Sequence, residues 1–353
     1  MASSTAVETR PTGRIHGNAR HSPAGLIVSR TPLRVSFAGG GTDFRAFYER
    51  QEGAALSMAI DKYVYVTLKR HDTLFGAPIR LNYSETEQVE TLDEIRNDIA
   101  RACFRFLDVK PPIYMSTVAD IPASSGLGSS SAFCVGLLHA LHAWRGEHAS
   151  AAQLAEEAVH IEVDVLQRPI GVQDHYAAAF GGFNLFRFLP DGGVSVEAQR
   201  FETGGRESLF QYLLMFWTGI ERQAASILSE QQANLLSRLP QLLELRSQAW
   251  LLHDLLAERF DPSLLGKTIG AGWAKKRSLA SSVASPQLDQ WYNAAIEAGA
   301  WGGKICGAGG GGFFLFVAPP SRHSYIRRAL GGLKELRIGY EPHGSKILMP
   351  HLE

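Results

Sequence analysis

The segment IPASSGLGSSSAF, Ile121 to Phe133, constrains this chain more than any other. It joins a strand-like run, Ile113 to Val118, to an apolar helical run from Ser129 to Trp144. Gly126 and Gly128 let the backbone turn tightly and approach a ligand closely. Ser129, Ser130 and Ser131 open the helix, where free N–H groups and the helix dipole favour an anion. Hydroxyls at that position also suit phosphate oxygens or a Mg2+ ion. The segment is not a Walker A loop, because GxxxxGK[ST] requires a lysine that is absent. A capped helix after a flexible turn uses the same residues and stays open at this point.

Two further glycine loops stand far away in sequence. Of 35 glycines, ten fall in three places: 39–41, 126 with 128, and 307 with 309–312. The excess over the usual share of ~7% is therefore concentrated rather than spread. Gly307, Gly309 and Gly312 formally satisfy GxGxxG, the dinucleotide fingerprint, but that fingerprint needs a helix after it. Here FFLFV follows, a strand pattern, so the dinucleotide reading is rejected. The loop reads as one that closes over phosphates, supports a substrate pocket, or makes a tight turn between core elements.

Around these loops the chain reads as a mixture of strands and helices. Strand patterns cover Leu26 to Ala38, Ala54 to Arg70, Ile79 to Ser84, FGGFNLFRF, QYLLMFWTG, GGFFLFVAP and a terminal segment near Ile347. Helices are expected over TDFRAFYER, with Thr42 or Asp43 as cap, over TLDEIRNDIARACFRFL, and over Ser150 to Leu166. Two or three more are expected between Glu221 and Ala298, and one near Ser321. Strands and helices without strict alternation indicate an α+β fold. The length of 353 residues suits two domains, divided in the turn-rich stretch from 190 to 208. The expected division is a disordered leader over 1–24, an N-terminal domain over 25–200 and a C-terminal domain over 201–353.

Composition excludes several classes. The 35 basic and 35 acidic side chains cancel, which argues against nucleic acid as the main partner. No apolar run approaches the ~18 residues that span a bilayer, and residues 1–24 lack the apolar core of a secretory signal. Cys103, Cys134 and Cys306 show no metal-ligand spacing and cannot all pair, which fits a reducing, cytoplasmic setting.

PxxxGLGSS[AS] resembles the phosphate-binding motif of the GHMP kinases. RTPLRVSFAGGGTDF (Arg30 to Phe44) resembles their N-terminal substrate motif, and KICGAGGGGFFLF (Lys304 to Phe316) their C-terminal glycine loop. The three occur in the family's order and bracket most of the chain. YSETE, HIEVDVL, GVQDHYAAAFGGFN and WAKKRSLASSV, with AGGGTD, are similar to bacterial D-glycero-D-manno-heptose 7-phosphate kinases and related sugar 1-kinases. The resemblance implies a two-domain fold, with a ribosomal S5 domain 2-like N-terminal half and a ferredoxin-like C-terminal half. It implies transfer of the γ-phosphoryl of ATP, with Mg2+, to an anomeric hydroxyl, most directly that of a heptose 7-phosphate feeding nucleotide-heptose and surface polysaccharide synthesis. A fucose or other hexose 1-kinase, and a catalytically silent sugar and nucleotide sensor, remain alternatives. Small-molecule sugar or sugar phosphate and ATP are the implied partners, with no nucleic acid or membrane, and a homo-oligomer stays open.

Residue roles follow from the same resemblance. Pro122, Ser124, Ser125, Gly126, Leu127, Gly128, Ser129 and Ser130 would cradle the phosphates. Ser130 and Glu162, the latter twelve residues before Asp174, would hold the metal, with Asp164 the other candidate. Asp174 matches the catalytic aspartate, as a proton acceptor or as an orienting charge. It also counts among the acceptor-binding residues with Gly40, Gly41, Thr42, Asp43, Gly309 and Gly310. Arg34 is the candidate catalytic cation, because a guanidinium offers a fixed fork of donors to phosphate oxygens. The basic run Lys275, Lys276, Arg277 either meets a distal phosphate or forms a solvated face, and Lys304 is likewise unassigned. His139 and His142 lack a third ligand and read as packing or surface residues, while His175 adjoins Asp174 and shapes the pocket.

Overall fold

The computed structural model describes residues 25–349, apart from 72–73, 75, 202–203, 222–223 and 259. The expected leader over 1–24 lies outside the described residues. The first two strands, β1 (Leu26–Ala38) and β2 (Gly53–Arg70), pair antiparallel along nearly their whole length. The other edge of β2 is shared. Its residues 64–70 carry β5 (Ile113–Ala119), and its residues 53–58 carry β6 (Phe183–Phe188). β3 (Ile79–Asn82) pairs parallel with β5 and antiparallel with β4 (Thr86–Val89), and β7 (Val194–Ala198) pairs with β6. A second, antiparallel sheet has the order β11 (Lys334–Glu335), β8 (Leu213–Trp217), β10 (Phe313–Val317), β9 (Gly302–Ile305). β12 (Lys346–Met349) returns to pair with β1, so the chain's last described strand belongs to the sheet of the N-terminal half.

Helix α3 (Ser129–Trp144) lies across β1 and β2, flanked by α4 (Ala151–Val159) and α5 (Gln173–Phe180). The largest buried cluster runs on into the second sheet through Met215, Phe313 and Leu315 and into helix 239–258 through Leu252. A smaller cluster, Phe44, Phe47, Leu242, Leu245 and Leu279, presses the glycine turn after β1 against the C-terminal helices. The three cysteines are free and buried, the sulfurs of Cys103 and Cys134 lying 3.9 Å apart.

Four local expectations are corrected. The helix expected over residues 91–107 is a 3-10 turn, Leu92–Glu94, followed by a shorter α2 (Asp98–Phe106). Buried Glu87 accepts from the N–H groups of Arg96 and Asn97 (2.6 and 3.0 Å), which holds that stretch extended, and Asn97 then caps the helix through Ala100 N–H. The helix expected over 150–166 widens after α4 into a π-helical turn, His160–Val165. Neither Thr42 nor Asp43 caps the short helix Arg45–Tyr48, because both side chains are tied elsewhere: the Thr42 hydroxyl donates to Gly39 and Ala54 carbonyls, and Asp43 accepts from Gly41 N–H. Among the described residues between 221 and 298 there are four helices, Ala224–Ala233, Leu239–Glu258, Pro262–Lys276 and Pro286–Glu297, since Asp261 and Ser285 each supply a side-chain cap that starts a new one.

Candidate active site

The loop between β5 and α3 has positive φ at alternate residues, Ser124, Gly126 and Gly128 (56°, 85° and 79°). Gly128 is the N-cap of α3 and no side chain caps the helix, so its first N–H groups remain available to an anion. The glycine loop between β9 and β10 braces this turn. A side chain on Gly126 would meet the Cys306 carbonyl at 2.6 Å, one on Gly307 would meet the Gly126 backbone at 2.6 Å, and Phe313 N–H donates to the Ser125 carbonyl. Of the readings given to that loop, support of the pocket is thus the one its contacts display. A strand follows it, as expected.

Arg34, buried on β1, crosses beneath the loop. Its Nε and Nη2 donate to the two oxygens of Asp174 (2.7 and 2.5 Å), and Nη1 donates to the Gly126 carbonyl (2.8 Å). One guanidinium therefore fixes both the phosphate loop and the carboxylate in the first turn of α5. Asp43 faces the same cleft. Its carboxyl is pushed up from the usual range by burial and by the Asp174 charge, and it accepts from Gly41 N–H (2.8 Å) and Gln173 Nε2 (3.0 Å). Gly171 lies so close to it that an added Cβ would come within 2.0 Å of Asp43 Oδ2.

Two buried lysines complete the wall. Lys276 donates to the Gly307 carbonyl, and burial lowers its ammonium to about 8. Lys304 donates to the Ser36 carbonyl (2.8 Å) and is lowered to about 7 by burial and by Lys276. Neither forms an ion pair among the described residues. Lys275 and Arg277, their neighbours in the basic run, pair instead with Glu244 and Asp289. The run thus divides: one member enters the cleft and two face outward.

Behind the first turn of α3 lies Glu162, with no exposed surface. Burial works to raise its carboxyl, but hydrogen bonds from His175 and Ser130 and the charge of Arg168 outweigh it and hold the group at about 2. Ser130 Oγ donates to Glu162 Oε1 (2.5 Å), and His175 Nε2 to Oε2 (2.9 Å). A hydroxyl and an ionised carboxylate beside a phosphate loop are hard oxygen donors of the kind Mg2+ takes with substrate phosphates, so the residues fit that ion. Among the described residues no group of three His, Cys, Asp or Glu side chains forms a metal site, and Mg2+ with nucleotide phosphates needs none. Asp164 is engaged by Arg45 (2.5 Å) and His160 (3.1 Å) in a separate surface depression.

One cleft, of about 200 Å3, gathers most residues singled out from the sequence. Its lining includes Arg34, Gly40, Gly41, Asp43 and Asp174, together with Ser124, Gly126, Gly128, Ser129, Ser130 and Gly309. The others do not reach it. Pro122 points outward, and Ser125 and Leu127 are buried in support of the loop. Thr42 is a buried tie, and Gly310 N–H is spent on the Val283 carbonyl. His139 and His142 serve packing, the former hydrogen-bonded to Ser345 and the latter between Glu147 and Glu157. Sequence reasoning missed Gln173 and Arg168. Gln173 sits inside the quoted GVQDHY segment, next to Asp174, whereas nothing local marks Arg168.

Two family profiles match the chain, GHMP kinases N terminal domain over residues 93–182 and GHMP kinases C terminal over 251–332. The chain is 32% identical over 313 residues to D-glycero-alpha-D-manno-heptose 7-phosphate kinase of Campylobacter jejuni, covering 85% of this chain and 92% of that protein. The chain belongs to the GHMP kinases. A galactokinase of Pyrococcus furiosus is 25% identical over 346 residues, covering 86% of this chain and 92% of its own. Among solved structures, a D-glycero-D-manno-heptose 1-phosphate kinase from Bacteroides thetaiotaomicron shares the fold (TM-score 0.74, 24% identity, 92% of this chain, 99% of that one). So does a sugar kinase from Campylobacter jejuni (TM-score 0.72, 27% identity, 92% and 98%). The GHMP kinase fold, α+β with N- and C-terminal family domains, is thereby shown. No helix among the described residues is long and apolar enough to cross a membrane.

The close approach at Gly171 gives a direct check on this GHMP kinase site. Gly171→Ala must displace the Asp43 carboxylate, and kcat/KM for the acceptor is expected to fall on the order of 100-fold. Nucleotide affinity, measured by calorimetry, should stay within about twofold, since the Asp43 carboxylate accepts from Gly41 and Gln173 and from no group of the 124–130 loop.

Proposed function

We propose that the protein is an ATP-dependent sugar 1-kinase whose acceptor is a phosphorylated heptose, D-glycero-D-manno-heptose 7-phosphate, converted to the 1,7-bisphosphate. The observation that carries the acceptor is the pair Lys276 and Lys304. Two buried ammonium groups face the cleft with lowered pKa values and without a carboxylate ion-pair partner among the described residues. Unpaired buried charge is costly, and an acceptor bringing its own phosphate offsets that cost. The named Campylobacter jejuni relative, with its heptose phosphate acceptor, supports the same reading.

In this reading the ATP phosphates lie against the N-terminus of α3, held by N–H groups of the 124–130 loop and by the serine hydroxyls. Ser130 and Glu162 hold Mg2+, which neutralises phosphate charge when bound. Asp43 accepts hydrogen bonds from sugar hydroxyls and so fixes the ring. Asp174 orients the anomeric hydroxyl and accepts its proton as the new O–P bond forms and the bond from the γ-phosphorus to the β,γ-bridging oxygen breaks, ADP leaving with that oxygen. Arg34, clamped to Asp174, faces the charge that develops on the transferred phosphoryl.

An ATP-coupled assay across heptose 7-phosphate, mannose, fucose and galactose tests this. Turnover of the phosphorylated heptose is expected with kcat/KM at least about 100-fold above any free sugar, the value of two charge-assisted hydrogen bonds. A free hexose turned over as well as the heptose phosphate would overturn the acceptor assignment. Nucleotide binding without turnover of any sugar would identify a sensor instead.

A further inference from the structure

Glu162 carries its charge where no solvent reaches it, and what covers it from the cleft is specific. Ser130 Oγ and Arg168 Nη1 both donate to Glu162 Oε1 (2.5 and 2.7 Å), and Arg168 Nη1 also donates to Ser130 Oγ (2.9 Å). The same guanidinium extends its Nη2 to both oxygens of Asp98, at the start of α2 (2.8 and 3.0 Å). Arg168 reaches this position through unusual backbone. The π-helical turn His160–Val165 precedes it, Gln167 has a positive φ of 50°, and Arg168 N–H bonds back to the Glu162 carbonyl (2.9 Å). Non-glycine residues in that conformation are uncommon, and π-helical turns occur frequently at functional sites.

We propose that Arg168 is the resident counter-ion of the metal site: it neutralises Glu162 when no metal is bound, and withdraws onto Asp98 when the metal arrives. This rests on the assignment of Ser130 and Glu162 as metal ligands. The argument is one of charge and access. A dication and a guanidinium cannot both take Glu162 Oε1 without repulsion in a buried setting. The His175 side of the carboxylate is wholly enclosed, so exchange must occur on the Arg168 side. Arg168 is about 29% exposed at its side chain and already holds a second carboxylate, so its release from Glu162 leaves no unpaired cation. Asp98 is therefore a positioning residue for the metal although it does not touch the cleft.

The consequence is a pair of substitutions with opposite signs. Arg168→Gln removes the competitor and should tighten binding of Mn2+·AMPPNP by about 5-fold, whereas Asp98→Asn removes the resting place and should weaken it by about as much. Calorimetry on the full chain measures AMPPNP binding with Mn2+ and in EDTA, and the ratio of the two affinities reports the metal alone. In EDTA both variants should stay within about twofold of the parent. The melting temperature should fall for Arg168→Gln without ligand and recover with Mn2+·AMPPNP, because the metal then neutralises Glu162. Glu162→Gln serves as reference and should abolish the metal-dependent gain. If it leaves that gain intact, the ligand assignment itself fails. If Glu162→Gln abolishes the gain but both other variants shift it the same way, or Asp98→Asn leaves it unchanged, the counter-ion role is overturned. Equal loss of AMPPNP affinity in EDTA for Arg168→Gln would instead make Arg168 a phosphate ligand, which also overturns it. Should Arg168→Gln fail to fold, the sign seen with Asp98→Asn still decides.

Discussion

Asp174→Asn is expected to lower kcat by about 1,000-fold while nucleotide affinity changes little, as read by a coupled assay and calorimetry. The asparagine has the shape of the aspartate but neither its charge nor its second acceptor oxygen. In the native site both oxygens receive donors from Arg34, whose side chain is 5% exposed. The amide nitrogen would point a donor at a guanidinium that has only donors, leaving a buried cation without its partner. On the proposed function the variant loses the group that would face the acceptor hydroxyl and loosens the cation that would meet the transferred phosphoryl, and the two losses reinforce each other. Arg34→Lys is expected to be nearly as damaging, since an ammonium cannot bridge Asp174 and Gly126 together. Near-normal turnover of Asp174→Asn would remove the aspartate from the chemistry.

Lys276→Met is expected to raise KM for a phosphorylated acceptor by about 100-fold, with kcat and the KM for ATP changed far less. Its pH behaviour follows from the lowered ammonium. Lys276, at about 8, is charged below that pH and loses its proton above it. In the native enzyme kcat/KM for the acceptor should therefore fall as pH rises through about 7 and again through about 8, as Lys304 and then Lys276 lose their protons, and only the upper limb should be absent in Lys276→Met. Stability has the opposite sign. A lysine ionising near 8 in the folded chain and near 10.4 when unfolded makes unfolding bind protons between those values, so its contribution to stability grows as pH rises across that window. At pH 7 the buried charge costs stability, and the methionine variant should melt no lower than the parent. A drop in melting temperature with unchanged acceptor KM would mean that Lys276 only holds the Gly307 carbonyl.

Much of the site was legible because its chemistry is encoded locally. The strand–loop–helix around Gly126 and Gly128, the glycine turn 39–41 and the glycine loop before FFLFV each carry their function in adjacent residues. Their conformations, positive φ and close backbone approach, are demands that a short sequence states on its own. The helix start near 97 was not legible, because the side chain of Glu87 overrides helical periodicity from outside the segment.

The sequence by itself determined the α+β class and the order of the three loops, and its resemblance to the GHMP kinases marked Arg34, Asp43, Ser130, Glu162 and Asp174 as candidates. Only the tertiary structure decided between neighbours of equal chemistry. It turns Lys276 into the cleft and Lys275 and Arg277 outward, buries Glu162 against Ser130 while Asp164 meets Arg45, and lays Arg168 over a carboxylate six residues before it. Adjacent charged residues have the same local pattern, and a helix turn of about 100° per residue separates their surroundings entirely. What each one does is then set by the partner that packing brings from a distant part of the chain.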